Sequence, residues 1–318
     1  MNLPDFRLNV RAALTEPPPM LDYVLAGLLA GSVGALVGPG AAGKTMLLMQ
    51  TACDIAAGAP IGGGILTTNF LSSDGAGVAF FLAEETHAVM HHRLQAAIHA
   101  VRDMKQFNST AACNALVARL SQNLRVYPLG GAGRNARWSV GRSANETKAM
   151  VDACKDARLV IVDPLRRFHG GEENDAAHMC AVVEAFEQLA ADTGAAVILS
   201  HHTNRSSALA GAGELASAAR GSSALTDGVR WQANLSNVNE QFASRLGIAE
   251  RERNSFVRLD IAKANYMKPS PPVMLRKDGV TGALSVWQDS RVKSRKRTQG
   301  SARASVPKAQ SKVERDAA

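Results

Sequence analysis

The sequence predicts an α/β fold: a mostly parallel central sheet with helices on both faces, followed by late antiparallel edge strands. Apolar runs that end in polar residues recur along the chain with helical segments between them, the signature of parallel strands buried on two faces. A glycine-rich octapeptide, "GPGAAGKT" (38–45), sits where one such run passes into a helical pattern. With 27 Gly, 46 % hydrophobic residues and only 5 % aromatics, the composition suits short loops and packed helices better than an all-β sandwich.

The elements follow in order. Residues 1–20 are polar and end in Pro17-Pro18-Pro19, which predicts an arm or linker, and the core is expected from Leu21 to residue 290. Within it "VGALVG" (33–38), "VAFFLAEE" (78–85), "LVIVDP" (159–164) and "AAVILSHH" (195–202) read as strands. "TMLLMQTACDIAAG" reads as the helix behind the octapeptide. Met179, Val182, Val183, Phe186, Leu189 and Ala190 repeat at helical spacing, with Asp175 placed to cap that helix and Gly194 to close it. Beyond residue 255, "FVRLDIAKANY" and "VMLRKDGVTGALSVW" read as edge strands, with Asp278-Gly279 as a hairpin turn. Residues 291–318 are basic with little apolar content and predict a disordered tail.

At 318 residues the chain can bury one substantial core, and two separate domains are not demanded. The formal charge of +8 points to a polyanionic partner or to a solvated basic tail. Cys53, Cys113, Cys154 and Cys180 are widely spaced, with no C-x-x-C and no nearby His pair at zinc-ligand spacing, and His87 and His91, four apart on a helical pattern, have no third ligand suggested, so neither a disulfide framework nor a zinc site is expected. The longest apolar stretch, Val24 to Val37, is interrupted by Gly27, Gly31, Ser32 and Gly34 and follows prolines instead of a basic start. It reads as neither a membrane span nor a signal peptide, and a cytoplasmic protein with no membrane partner is expected.

The octapeptide fits G-x-x-x-x-G-K-[ST] in full, in the required strand-to-helix context. There the backbone N–H groups of Gly38, Gly40, Ala41, Ala42 and Gly43 can converge on phosphates at a helix N-terminus. Lys44 can reach the β- and γ-phosphates of ATP, and Thr45 can hold Mg²⁺. Hydrolysis further needs a metal-side carboxylate and a group that activates water. Asp163, closing "LVIVD", is the candidate for the first, Mg²⁺-binding role. Glu84, closing "VAFFLAE", is the candidate general base, with Glu85 beside it as its rival. The fourth strand runs into Ser200, His201, His202 and Thr203, at the edge where parallel sheets bind ligands, and one of these can sense the γ-phosphate.

A glycine-rich phosphate loop, a strand-ending glutamate, a strand-ending aspartate and "SHHT" together resemble the RecA-like ATPases. More narrowly, "PPPMLDYVLAGLLAGSVGALVGPGAAGKTML", "HHRL", "VDPLRRFHGGEEN", "LAADTGAAVILSHHTN", "ARGSSALTDGVRWQ" and "VRLDIAKANY" resemble the plasmid RepA-type hexameric replicative DNA helicases, across roughly residues 17–290. The resemblance implies a RecA-like P-loop ATPase core and a DNA-stimulated ATP hydrolase that forms a ring, with six subunits in that family. It implies ATP on Lys44 and Thr45, Glu84 as the catalytic carboxylate, Asp163 on Mg²⁺, and His201 or His202 as the link from γ-phosphate to DNA. Arg230 in "VRW" matches the arginine finger that acts across a subunit boundary, and Lys263 in "AKAN" falls where a second trans cation contacts the nucleotide. Single-stranded DNA is the implied partner, together with a replication initiator or primase.

Two segments suit such a strand. "LRRFHGGEENDAAHM" offers Arg166, Arg167 and His169, although the two arginines can instead pair with Glu172 and Glu173. "NRSSALAGAGELASAARGSS" carries Arg205 and Arg220 around a flexible stretch. Alternatives to a helicase are a RecA-fold ATPase that remodels or regulates without unwinding, and a nucleotide-dependent DNA-binding or copy-control module.

Overall fold

The computed structural model describes residues 3–67, 72–131, 144–203, 223–268 and 270–288. Within these residues the chain opens with a 3-10 turn at Leu3–Phe6 and helix α1 (Val10–Thr15), neither of which buries a residue. Two short strands, β1 (Tyr23–Leu25) and β2 (Leu28–Leu29), pair antiparallel.

The main sheet contains β3 (Val33–Gly38), β4 (Gly77–Leu82), β5 (Leu124–Pro128), β6 (Ala157–Asp163), β7 (Ala196–His202), β8 (Trp231–Asn237), β9 (Phe256–Ala264), β10 (Val273–Lys277) and β11 (Leu284–Val286). Its order is β11-β10-β9-β8-β3-β7-β6-β4-β5. The neighbours from β8 to β5 run parallel, and the pairs β8/β9, β9/β10 and β10/β11 run antiparallel. The predicted fold class is therefore the observed one.

Side chains alternate across this sheet and build two cores. Leu36, Val78, Phe80, Leu82, Leu159, Ile161, Ala196 and Ile198 face one side, where α2 (Lys44–Ala57) and α4 (Thr110–Asn123) cover them and α3 (His87–Ala97) packs on α2. Val33, Ala35, Val37, Ala79, Phe81, Val160, Val162, Val197 and Leu199 face the other, beneath α6 (Ala176–Thr193) and α5 (Ala144–Cys154). Period-two alternation in which both faces are apolar is why these strands read as continuous hydrophobic runs.

The capping expected for α6 is present: the Asp175 carboxylate accepts from the backbone N–H groups of Ala177 and His178, and Gly194 ends the helix in the left-handed conformation. The hairpin between β10 and β11 is longer than a two-residue turn. Residues 278–283 connect the strands, the Asp278 carboxylate accepts from the Val280 and Thr281 N–H groups, and Gly282 at φ +72° takes the left-handed position. Strands β1, β2, β5 and β8 were not anticipated from sequence. Among the described residues no helix is long and apolar enough to cross a membrane. Arg205, Arg220 and the basic stretch 291–318 lie outside the described residues.

The twist of the sheet brings its antiparallel edge back over α2, and a buried amide fixes it there. Gln50 donates to Leu284 O at 2.8 Å and to Gly62 O, and its Oε1 accepts from Leu284 N at 2.8 Å. Gln50→Ala strands these buried backbone groups, so urea denaturation should show roughly 2–4 kcal/mol of lost stability, whereas Asp175→Ala should cost about 1 kcal/mol.

Candidate active site

The carboxyl ends of β3, β4, β6 and β7 lie along one edge of the sheet, so residues far apart in sequence meet there. A cleft of ≈ 730 Å³ opens at this edge, lined by Gly40, Ala41, Ala42, Gly43, Lys44, Thr45, Glu84, Glu85, Asp163 and His202. Lys277 and the hairpin residues 278–282 close one side of it, and Arg93 of α3 lines another part.

The loop between β3 and α2 has a backbone that few residues can adopt. A Cβ on Gly38 would stand 2.8 Å from Leu235 O, so only glycine lets β3 run this close to β8. Gly43, at φ +96°, gives the left-handed turn that starts α2, and Ala41 holds a left-handed φ of +59° that a side chain rarely adopts. Strain at a non-glycine position beside a cleft is what a preorganised cradle stores.

Lys44 is 7 % exposed. Its ammonium donates to Gly38 O at 2.7 Å and Pro39 O at 3.0 Å and lies 3.5 Å from His202 Nδ1. Burial lowers its pKa to about 8, against the opposing pull of Asp163 and Glu84. Thr45 Oγ1 donates to Asp163 Oδ2 at 2.6 Å, which brings a hydroxyl and a carboxylate together at the start of α2. These two are hard oxygen donors of the kind Mg²⁺ takes beside a phosphate, and the carboxylate is 6 % exposed, so the donor set fits that ion.

The sequence suggested a strand running through Glu85, but β4 ends at Leu82, so Glu84 and Glu85 lie in the segment between β4 and α3, and they have different partners. Glu85 pairs with Arg93 at 2.7 Å, while Glu84 pairs with Arg167 at 2.7 Å and is half exposed at the cleft. The alternative pairing of Arg166 and Arg167 with Glu172 and Glu173 is thus not what forms: Arg167 turns to Glu84, and Arg166 donates to Gly171 O at 3.2 Å.

Strand alternation separates the two histidines. His202 is on the α2 side of the sheet and lines the cleft. His201 turns to the opposite face, where it is 1 % exposed and its Nδ1 lies 3.9 Å from Glu173 Oε1. Burial, then the charges of Lys44 and His201, lower the pKa of His202, against the opposing pull of Glu84 and Asp163. On the far face His169 Nδ1 lies 3.1 Å from His178 Nε2, and burial together with the Arg166 charge depresses its pKa to about 4.

Arg230 and Lys263 sit elsewhere. Trp231, 1 % exposed and donating from Nε1 to Ala26 O, starts β8, and Arg230 stands exposed just before it. Lys263 Nζ donates to Thr226 O at 2.8 Å and Asp227 O at 3.2 Å beside it. Trp231 is registered with Gly34, the strand residue four before Gly38. At the strand rise this places Arg230 roughly 13 Å or more from its own phosphate loop, beyond the reach of its side chain.

A family model described as "AAA domain" matches residues 2–208. The chain belongs to this AAA domain family. Among solved structures, the AAA domain is similar to a DnaB-like replicative helicase whose structure was described with its interactions with primase, at TM-score 0.53 and 15 % identity, covering 81 % of this chain and 57 % of that one. The chain therefore spans little more than half the length of that helicase. It is also similar to the ATPase domain of G40P, at TM-score 0.50 and 16 % identity, covering 81 % of this chain and 86 % of that one. These likenesses place the fold with the RecA-like ATPase cores.

Lys277, Arg93 and the 278–282 hairpin were not found from sequence. Their positions depend on the twist that folds the sheet edge over α2, which no local pattern encodes. Gly38→Ala tests the close approach of β3 and β8: the added methyl meets a backbone oxygen, and thermal or urea unfolding should show about 1–3 kcal/mol of destabilisation.

Proposed function

We propose that this chain is an ATP-driven, ring-shaped replicative DNA helicase of the plasmid RepA type, which translocates on single-stranded DNA and separates the duplex. The observation that carries this reading is the placement of Arg230 and Lys263 at the sheet end opposite their own phosphate loop. Cations in those positions serve a nucleotide site only when a second copy presents them, which favours a closed homo-oligomer, a hexamer in the family resembled.

In this mechanism the loop from Gly38 to Thr45 holds the triphosphate, and Lys44 leaves the carbonyls of Gly38 and Pro39 for the β- and γ-oxygens. Mg²⁺, when bound, neutralises phosphate charge, and Thr45 and Asp163 are the residues that would hold it. Glu84 accepts a proton from the attacking water, and Arg230 of the neighbouring copy stabilises charge on the transferring phosphoryl group. His202, whose Nδ1 lies 3.5 Å from the Lys44 ammonium, reports the γ-phosphate to the loop that follows β7. Val280, 96 % exposed on the hairpin that lines the cleft, offers an apolar face for the nucleobase. Arg166 and Arg167, with Arg205 and Arg220, hold phosphodiesters of the single strand. Residues 21–290 form the motor, 1–20 an arm and 291–318 a basic tail, and a primase or replication initiator is the further partner.

ATP hydrolysis measured with and without single-stranded DNA tests the reading. Arg230→Ala and Lys44→Ala should each lower the rate, the former by about 10³-fold or more. An equal mixture should regain activity, because a boundary between the two mutants can join an intact loop to an intact finger. Normal hydrolysis by Arg230→Ala, with no response to DNA, would overturn the helicase and favour a remodelling or regulatory ATPase. Glu84→Gln should cost about 10²–10⁴-fold in rate while ATP binding persists.

The lowered Lys44 pKa sets a pH dependence. A bound triphosphate favours the ammonium form. Affinity should therefore be flat below pH about 8, where the free lysine is already charged. Above that, binding must take up a proton and affinity should fall by up to about tenfold per pH unit, readable by calorimetry in buffers of different ionisation enthalpy.

A further inference from the structure

The pair between Arg167 and Glu84 is left unused by the mechanism above, and its geometry constrains that mechanism. Arg167 Nε donates to Glu84 Oε1 at 2.7 Å, with the two side chains 43 % and 48 % exposed. The arginine sits on the single turn Leu165–Arg167 directly after the β6 strand that ends in Asp163. Leu165 and Phe168 on either side are buried at 0 % and 1 %, so the backbone of the turn is anchored while the guanidinium remains open to solvent. β4 and β6 are paired neighbours with Leu82 registered to Asp163, which brings the loop after one strand beside the glutamate after the other. The competing charges are otherwise engaged: Arg93 takes Glu85, and the Arg166 guanidinium donates to Gly171 O.

A carboxylate oxygen that accepts from a guanidinium has one lone pair fewer to receive a proton from water, and its side chain is tethered toward the donor. The same guanidinium is a strong ligand for a phosphodiester, through the same N–H groups. One cation therefore cannot fully serve the glutamate and a nucleic-acid backbone together.

We propose that Arg167 is a positioning residue that restrains Glu84 in the absence of nucleic acid and gives it up when a single-strand phosphodiester takes the guanidinium. This rests on the roles given above to Glu84 and to single-stranded DNA, and it adds the coupling between them. The pair suits a switch because it is exposed: ion pairs in water are weak and readily exchanged. By linkage the coupling runs both ways, so whatever draws Glu84 away from Arg167 strengthens DNA binding by the same factor.

The test is a double-mutant cycle on the full-length protein, read by fluorescence anisotropy of a labelled oligo-dT without nucleotide. Glu84→Ala frees the guanidinium and should tighten binding about 2- to 5-fold, the range an exposed pair supports. Arg167→Ala should weaken binding, and in that background Glu84→Ala should have no further effect. DNA-free ATP hydrolysis gives a second readout. Arg167→Ala should raise it about 2- to 5-fold and shrink the stimulation by DNA, and Arg167→Lys should restore part of the restraint. If wild type binds DNA but Glu84→Ala tightens it equally in both backgrounds, the effect is general charge repulsion and the restraint is disproved. A fall in DNA-free hydrolysis in Arg167→Ala would likewise overturn it. If wild type binds no single strand at all, the helicase reading itself fails, a result separate from an additive cycle.

Discussion

The hydrogen bond from Thr45 Oγ1 to Asp163 Oδ2, 2.6 Å long, ties the start of α2 to the end of β6. These elements are not neighbours, because β7 lies between β3 and β6 in the sheet. The bond can form only if β3, β7 and β6 hold a common register, and they do: Gly38 pairs with His202, and Val162 with Leu199. Everything that gathers at the cleft inherits this register. A one-residue slip of β7 would exchange His202 for His201 at the phosphate loop, and a slip of β4 would turn the segment carrying Glu84 to the other face. The apolar runs that fix the register by burying both faces are thus the foundation of the chemistry.

Sheet polarity then divides the molecule into two ends with different work. The carboxyl edge carries the loop, the carboxylates and His202. The amino edge of β8 carries Arg230, held at the surface by the buried Trp231 ring, with Lys263 capping the carbonyls of Thr226 and Asp227 beside it. A strand cannot place residues from both of its ends in one site, so under the proposed function the cations at one edge would meet the phosphate loop at the other only between copies. On this reading, assembly is a condition of catalysis.

The cleft also shows how charge is arranged around a buried lysine. Lys44 loses much of its hydration, and its proton is held less tightly than in water despite two nearby carboxylates. Its donors rest on the carbonyls of Gly38 and Pro39, partners that a triphosphate outcompetes because a charged acceptor binds an ammonium more strongly than a neutral one. The hairpin stapled by Gln50 brings Lys277 and Val280 to the same cleft from the far end of the chain.

Much of this was legible in the sequence. The octapeptide, the strands ending in Asp163 and His202, the apolar run before Glu84, the cap at Asp175 and the stop at Gly194 are local features. Each depends on side-chain period, a special φ or a capping oxygen within a few residues, and the fold class follows from their alternation. β5 and β8 escaped because "LRVYP" and "WQANLSN" carry too few consecutive apolar residues to stand out, and pairing with formed neighbours makes them strands. Four matters were decided by tertiary structure alone. Sequence left His201 and His202 equivalent, and the pleat assigns one to each face. It left Arg167 between a nucleic-acid contact and a pair with Glu172 or Glu173, and the pairing of β4 with β6 sets it on Glu84. It gave the edge hairpin no role, and twist brings it over the loop. It gave Arg230 a place in the chain, and strand direction puts it out of reach of its own nucleotide site. Local patterns encode which residues form an element and what chemistry it can bear, whereas long-range register, twist and polarity determine which of those residues meet.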